Sequence, residues 1–316
     1  MIQGNVFPTK FAADVADVVI HGASESRTVE LTKDGQTILS ETYNYDTYGV
    51  IRIAGLAKVI SLSLYGELTE GKQLHAMGDF VLNILNEEPL QASLLAMRLK
   101  NTADPEGLKS LLAVAPEAVC YPGRPHILTS VGQHIVKLLS AKGTEIAQAT
   151  VGPEASEGSV VWTGDYDPRK LFPQKYQKGS WLDIRGEQRV RILPQPCPDC
   201  VTVRFLNRYD MPESLTAAYM TEKPSVKDDT AQMFGLKTRF SVASATEYTL
   251  HSGRLYSESQ YDTWQDLLTS RKAQLLWQSQ WIDIVITKGN YTRQRRQMYR
   301  TKVEISFQTA NPLMTI

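Results

Sequence analysis

Tyr261, Trp264, Leu267 and Leu268 recur at helical spacing within residues 257–270 and mark one apolar stripe. Directly downstream the period changes. Ile282, Ile284 and Ile286 alternate with polar neighbours across 281–287, and Val303, Ile305 and Phe307 do so across 302–308. A helix with one apolar stripe must bury it against another element, and a strand with one apolar face offers the surface. The segment therefore predicts a C-terminal α+β module, one helix packed on a sheet. Ser257 and Gln260 have the spacing of a capping box, and Asp262 lies early enough to favour the positive end of the helix dipole. Burial of the stripe supplies on the order of 1.5–3 kcal/mol per large side chain before entropy is subtracted. Lys288-Gly289-Asn290 is expected to turn the chain between the two strands.

The rest of the chain reads as short strands. Val29 and Leu31 alternate with polar residues across 27–32, Asp34-Gly35 supplies a tight hairpin turn, and 37–41 returns. Residues 17–20 and 50–53 are further strands. Gly55-Leu56-Ala57 reads as a one-turn connector, and 61–65 as a strand through Leu62 and Leu64. Residues 79–86 and 90–100 form a hairpin about a turn at 86–89. A short helix is expected at 105–113, where Pro105 starts it and Leu108, Leu111 and Leu112 share a face. Strands follow at 124–131, 134–139, 144–151 and 160–162, then a turn or helix from Asp167-Pro168 and a hairpin of 181–185 with 188–193. Residues 201–207 are a half-buried strand, 211–234 a polar irregular loop, and 236–243 and 247–250 two strands.

The fold class is therefore mainly β: tandem β-sandwich-like domains followed by the α+β module. At 316 residues the chain exceeds one typical domain of ~100–200 residues. Three are expected: a small β domain over 1–66, a central β-rich domain over 67–195 and the α+β domain over 196–316. The proline-rich stretch 194–198 marks the last boundary, because proline removes a backbone donor and biases its predecessor to extended conformations. Residues 152–158 are a linker candidate.

Thirty-four basic residues balance thirty-four acidic ones. No global field attracts nucleic acid or anionic lipid, and a neutral surface does little to hold copies apart, which suits an assembling protein. No basic segment leads into an apolar run near Met1, so no signal peptide is expected. No run approaches the ~18 apolar residues of a membrane span. Cytoplasmic synthesis without membrane insertion follows as the expectation.

Catalytic signatures are missing: no H-E-x-x-H, G-x-S-x-G, phosphate-loop or dinucleotide motif occurs. No enzyme activity, cofactor or metal is expected. His21, His75, His126, His134 and His251 show no ligand spacing. Asp228-Asp229 and Glu87-Glu88 read as solvated turn residues. Cys197 and Cys200 form a C-x-x-C between prolines, without the second ligand pair zinc prefers. Two ordinary thiols are the favoured reading, and a loop disulfide or metal clip is the alternative.

Two surface features remain. Arg293, Arg295, Arg296 and Arg300, with Lys302, interleave with Tyr291 and Tyr299. The cluster suits an acidic protein partner, which arginine grips bidentately, or an edge charged against aggregation. Phosphate contact with base stacking is the lesser reading. Arg293, Arg295, Arg296, Arg300 and Tyr291 are thus the candidate interface. Tyr43, Tyr45 and Tyr48 read first as cross-strand packing and second as a platform for stacking on sugar rings.

Four stretches resemble tail-associated structural proteins of phages and prophages that infect gut-type anaerobic bacteria. They are 36–56, with Gly49-Val50-Ile51-Arg52-Ile53 and Gly55-Leu56; Cys197-Pro198 through Val203-Arg204-Phe205-Leu206-Asn207-Arg208-Tyr209; 256–270; and Trp281-Ile282-Asp283-Ile284-Val285-Ile286 through Val303-Glu304-Ile305-Ser306-Phe307 to Ala310-Asn311. The polar insert at 221–233 and the arginine-rich turn depart from the pattern. The resemblance is to distal-tail and baseplate components, β-rich modules that form rings and hold neighbouring proteins. It implies homo-oligomers, tail or baseplate partners and placement in a virion tail, and it brings no catalytic residues. The alternative is a carbohydrate-binding or adhesive β-sandwich protein; a hydrolase on a β scaffold ranks last.

Overall fold

The computed structural model describes residues 2–3, 6–7, 11–96, 111–154, 160–177, 179–193, 198–233, 236–255, 257–290 and 302–309. The described chain is mainly β. Its first part comprises β1 (Ile2–Gln3), β2 (Val18–His21), β3 (Arg27–Lys33), β4 (Gln36–Tyr43), β5 (Val50–Ile53), the helix α1 (Leu56–Ser63), β6 (Gly71–Lys72), β7 (Met77–Ile84) and β8 (Leu90–Leu95). Sheets β1-β2-β5 and β4-β3-β7-β8 share one core. Val18, Ile20, Ile51 and Ile53 come from the first, and Val29, Leu31, Phe80 and Leu82 from the second. The alternation in the sequence supplies these two inner faces. Asp34 and Gly35 turn β3 into β4 with φ of 50° and 80°, the left-handed pair a two-residue hairpin turn needs.

Residues 61–65 depart from the expected strand, because α1 runs on to Ser63. Leu56, Ile60 and Leu64 stand four apart and are buried, whereas Leu62 is 72% exposed. One helical face satisfies all three, and the Leu62/Leu64 alternation is incidental.

The middle of the chain holds β9 (Glu117–Cys120), β10 (Ile127–Val131), β11 (His134–Leu139), β12 (Glu145–Val151), β13 (Val161–Asp165), α2 (Pro168–Leu171), β14 (Trp181–Ile184) and β15 (Gln188–Ile192). The sheets are β10-β13-β6 and β12-β11-β14-β15-β9, with β15 and β9 parallel. Leu128 and Tyr166 meet Val136, Leu138, Leu182, Ile184 and Val190 in a second core. β10 and β11 are consecutive yet belong to different sheets. Asp167 caps α2 by accepting from the Arg169 N–H, with Pro168 in the first turn. Most of the helix expected at 105–113 lies outside the described residues. Its end is not helical, since Leu111 forms a β-bridge to Ser130.

The last part comprises β16 (Val201–Leu206), β17 (Pro212–Ala217), β18 (Tyr219–Met233), β19 (Leu236–His251), α3 (Ser259–Leu268), β20 (Ala273–Trp277), β21 (Gln280–Asn290) and β22 (Glu304–Thr309). They build one seven-stranded sheet, ordered β17-β16-β20-β21-β22-β19-β18. Its two edge strands are neighbours in the chain: Ala217 pairs with Val201, and Tyr219 with His251. The ends of the sheet therefore lie one residue apart, and the sheet curls. Tyr261, Trp264 and Leu267 of α3 pack on Phe205, Leu275, Ile305 and Phe307 in a third core, the helix on a sheet that the stripe predicts.

Four local expectations fail here. The capping box does not form: Glu258 holds the N-cap position without a side-chain cap bond, and Ser257 Oγ lies 3.0 Å from Ser259 Oγ. Lys288, Gly289 and Asn290 do not turn the chain but pair with Ser306, Ile305 and Glu304. The loop expected at 211–234 is instead β17 and β18, and β19 is one strand rather than two. Asp228-Asp229 consequently sits inside β18. Beyond the sheet β18 pairs with β19 alone among the described residues, and its sequence there shows no two-residue apolar period; the backbone ladder orders it.

Candidate functional site

Residues 207–211 lead from β16 to β17, and with the first residues of β17 they tie the three cores together. Asn207 is wholly buried. Its Nδ2 donates to Leu112 O and to Glu213 Oε2, both at 2.7 Å. Its Oδ1 accepts from Tyr209 N at 3.0 Å and Met211 N at 3.2 Å. Met211 enters the first core, and Thr129 Oγ1 of β10 donates to Pro212 O at 2.9 Å. Ser214 Oγ accepts from Ile127 N at 2.7 Å. Arg208 grips Asp266 of α3, with Nη2 2.9 Å from Oδ1. Asp210 pairs with Arg271, and a methyl added at Gly66 would collide with the Asp210 carbonyl.

Glu213 is the charged member. Burial raises its carboxyl to about 7, against the pull of its bonds from Asn207 and Val114 N. It borders a cavity of about 50 Å³ between β9, β17 and α3, together with His126, Gln260 and Trp264. That volume holds a few waters, since one needs only ~10–15 Å³; it is too small for a substrate. The Nε2 of His126 is buried without a hydrogen-bond partner among the described residues, and burial lowers this imidazole to about 4.

The two groups bend the stability profile in opposite senses. Between pH 4.5 and 7 folded Glu213 keeps a proton that the unfolded chain has released, so stability falls as pH rises. Between about 4 and 6.5 the unfolded chain holds a proton that folded His126 lacks, so stability rises. Glu213→Gln removes only the first effect. The variant should gain roughly 3 kcal/mol on its parent as pH climbs through the Glu213 window. Urea denaturation at a series of pH values checks this, and parallel curves would refute it.

The other prominent feature is an arm. β22 contacts β19 only at Tyr248 to His251. From Lys223↔Glu247 to Met233↔Leu236, β18 and β19 pair with each other alone among the described residues. At ~3.4 Å per residue the ribbon extends roughly 35 Å past its last sheet neighbour. Pro224 pairs with Thr246 within it; β18 is an edge strand, where a missing donor is tolerated. The signal available in the sequence was two runs of similar length, both dotted with threonine and valine, on either side of Gly235.

The residues singled out from the sequence are dispersed. Arg293, Arg295, Arg296, Arg300, Tyr291 and Tyr299 lie outside the described residues, and Lys302 is exposed. Tyr43 packs at the margin of the first core and donates to Glu41 Oε2 at 2.7 Å; burial, then this bond, raise its phenol to about 12. Tyr45 and Tyr48 stand on the β4–β5 loop, 48% and 87% exposed. Cys120 is buried and free, with its thiol pushed up by burial. Cys200 is disulfide-bonded, so the reading of ordinary thiols is wrong for it; Cys197 lies outside the described residues. Among the described residues no group of three or more His, Cys, Asp or Glu is placed to hold a metal ion, and no helix is long and apolar enough to cross a membrane.

No protein-family model matches the chain, and no curated protein matches it significantly. Among solved structures, a chain from the virion of a native gene transfer agent particle is similar over 37% of this chain and 95% of its own, at 9% identity and a TM-score of 0.25. Fibronectin(III)-like modules of Clostridium thermocellum CbhA are similar over 62% of this chain and 93% of theirs, at 13% identity and a TM-score of 0.14. At these scores neither likeness carries an argument.

Proposed function

We propose that this chain is a structural subunit of a phage tail or related injection apparatus, of distal-tail or baseplate type, working through protein–protein contacts and without catalysis. The β18–β19 arm carries the reading. A two-stranded ribbon is marginal alone in water, and its outer edge offers backbone donors and acceptors to another chain. Seated on a neighbouring copy this edge gains a ladder partner, and cyclic symmetry repeats the contact around a ring. The junction at Asn207 suits the same task, because a load-transmitting subunit needs its cores joined rigidly. Partners are then copies of itself and other tail or baseplate proteins. The assignment to phages of gut-type anaerobic bacteria rests on the sequence resemblance alone.

Replacing residues 224–246 by Asn-Gly closes the hairpin at the sheet and tests the arm. Light scattering coupled to size exclusion should give a discrete ring-sized oligomer for the parent and a monomer for the variant, with Tm unchanged. An arm-less protein that assembles as the parent does would sink the reading. So would a parent that stays monomeric both alone and mixed with the products of its neighbouring genes.

A further inference from the structure

An open groove of about 620 Å³ lies where the loop before β10, residues 198–200, the start of β18 and the β20–β21 turn converge. Two aromatic side chains line it, and both are held in place beforehand. The Tyr219 ring stacks on His251, with centroids 4.3 Å apart and planes 13° from parallel. His251 is itself fixed, its Nε2 2.9 Å from Thr221 Oγ1. Trp277 packs against the third core. Cys200, in the wall beside them, is disulfide-bonded.

The polar groups around these rings are Arg124, Asp199, Glu222 and Gln278. They mix a cation, two carboxylates and an amide, so no single charge is selected. Arg124 is only loosely engaged, with Nη2 3.4 Å from Pro198 O. The turn that brings Gln278 to the rim is strained. Gln278 and Ser279 have φ of 46° and 65°, a pairing that Asn-Gly adopts at little cost.

Preformed aromatic faces ringed by donors and acceptors of both signs, with one carboxylate in excess, match a polyhydroxylated ring that carries no negative charge. Its C–H face stacks on the aromatics, and its hydroxyls donate to carboxylates and accept from guanidinium and amide. The volume falls in the ~300–1,000 Å³ range of small-ligand sites. We propose that this groove is a saccharide-binding site for a neutral mono- or disaccharide, separate from the Tyr45/Tyr48 loop and independent of the assembly reading.

Calorimetric titration of the intact protein with glucose, galactose, N-acetylglucosamine, cellobiose and lactose tests it. At least one sugar should bind saturably with a millimolar dissociation constant. Trp277→Ala and Tyr219→Ala should weaken that sugar ~10-fold or more, and Tyr48→Ala should leave it unchanged. Gln278→Asn with Ser279→Gly guards against simple misfolding: it should raise Tm while weakening the sugar several-fold. No saturable binding by any of these sugars up to ~50 mM, or binding that survives either the Trp277 or the turn substitution in folded protein, overturns the site.

Discussion

Asn207→Ala should cost on the order of 4 kcal/mol of folding free energy, among the largest effects of any single polar substitution here. The side chain is wholly buried and makes four hydrogen bonds. Truncation leaves Leu112 O and Glu213 Oε2 without this donor, and Tyr209 N and Met211 N without this acceptor. An uncompensated buried group costs ~1–3 kcal/mol, and relaxation keeps the total below the simple sum. The loss reaches beyond the turn, because Met211 sits in the first core, Asn207 itself holds Leu112 O and its neighbour Glu213 accepts from Val114 N. Asn207→Asp should be worse above the Glu213 titration than below it, since two carboxylates would then face each other. Chemical denaturation measures both; a loss under ~1 kcal/mol for the alanine variant would mean that the junction does not weld the cores.

Trp264→Ala should cost about 3–5 kcal/mol. The indole is 4% exposed, belongs to the third core and also borders the cavity beside Glu213. Truncation joins the new void to that cavity, so the surroundings collapse poorly and the upper part of the range applies. Trp264→Phe keeps a ring against Phe205 and Leu275 and should lose clearly less. If the alanine variant unfolds at the parental denaturant midpoint, the packing of α3 does not carry the stability of the third core.

These two residues also show which features of the protein were legible in its sequence. Trp264 was, because burial on one side of a helix writes a period into the chain. The role of Asn207 was not, since nothing in a lone asparagine reports that Leu112, Glu213 and Met211 will converge on it. The same division separates Asp34-Gly35, where local backbone chemistry dictates the turn, from Lys288-Gly289-Asn290, where similar chemistry is overruled by the ladder to β22. Residues 61–65 went wrong because two alternating leucines fit either period, and only the buried partners of Ile60 and Leu64 decide between them.

Taken alone, the amino-acid order determined the β-rich class, the one-faced strands and the stripe of α3, because each arises from contacts among near neighbours or from one apolar surface. Tertiary structure decided the rest. It curled the seven-stranded sheet, extended β18 and β19 as a polar ribbon, buried Glu213 in the junction and brought Tyr219 and Trp277 to one groove. Those outcomes depend on pairings between residues tens of positions apart, where hydrogen bonds between backbones and the exclusion of water are set by the whole fold.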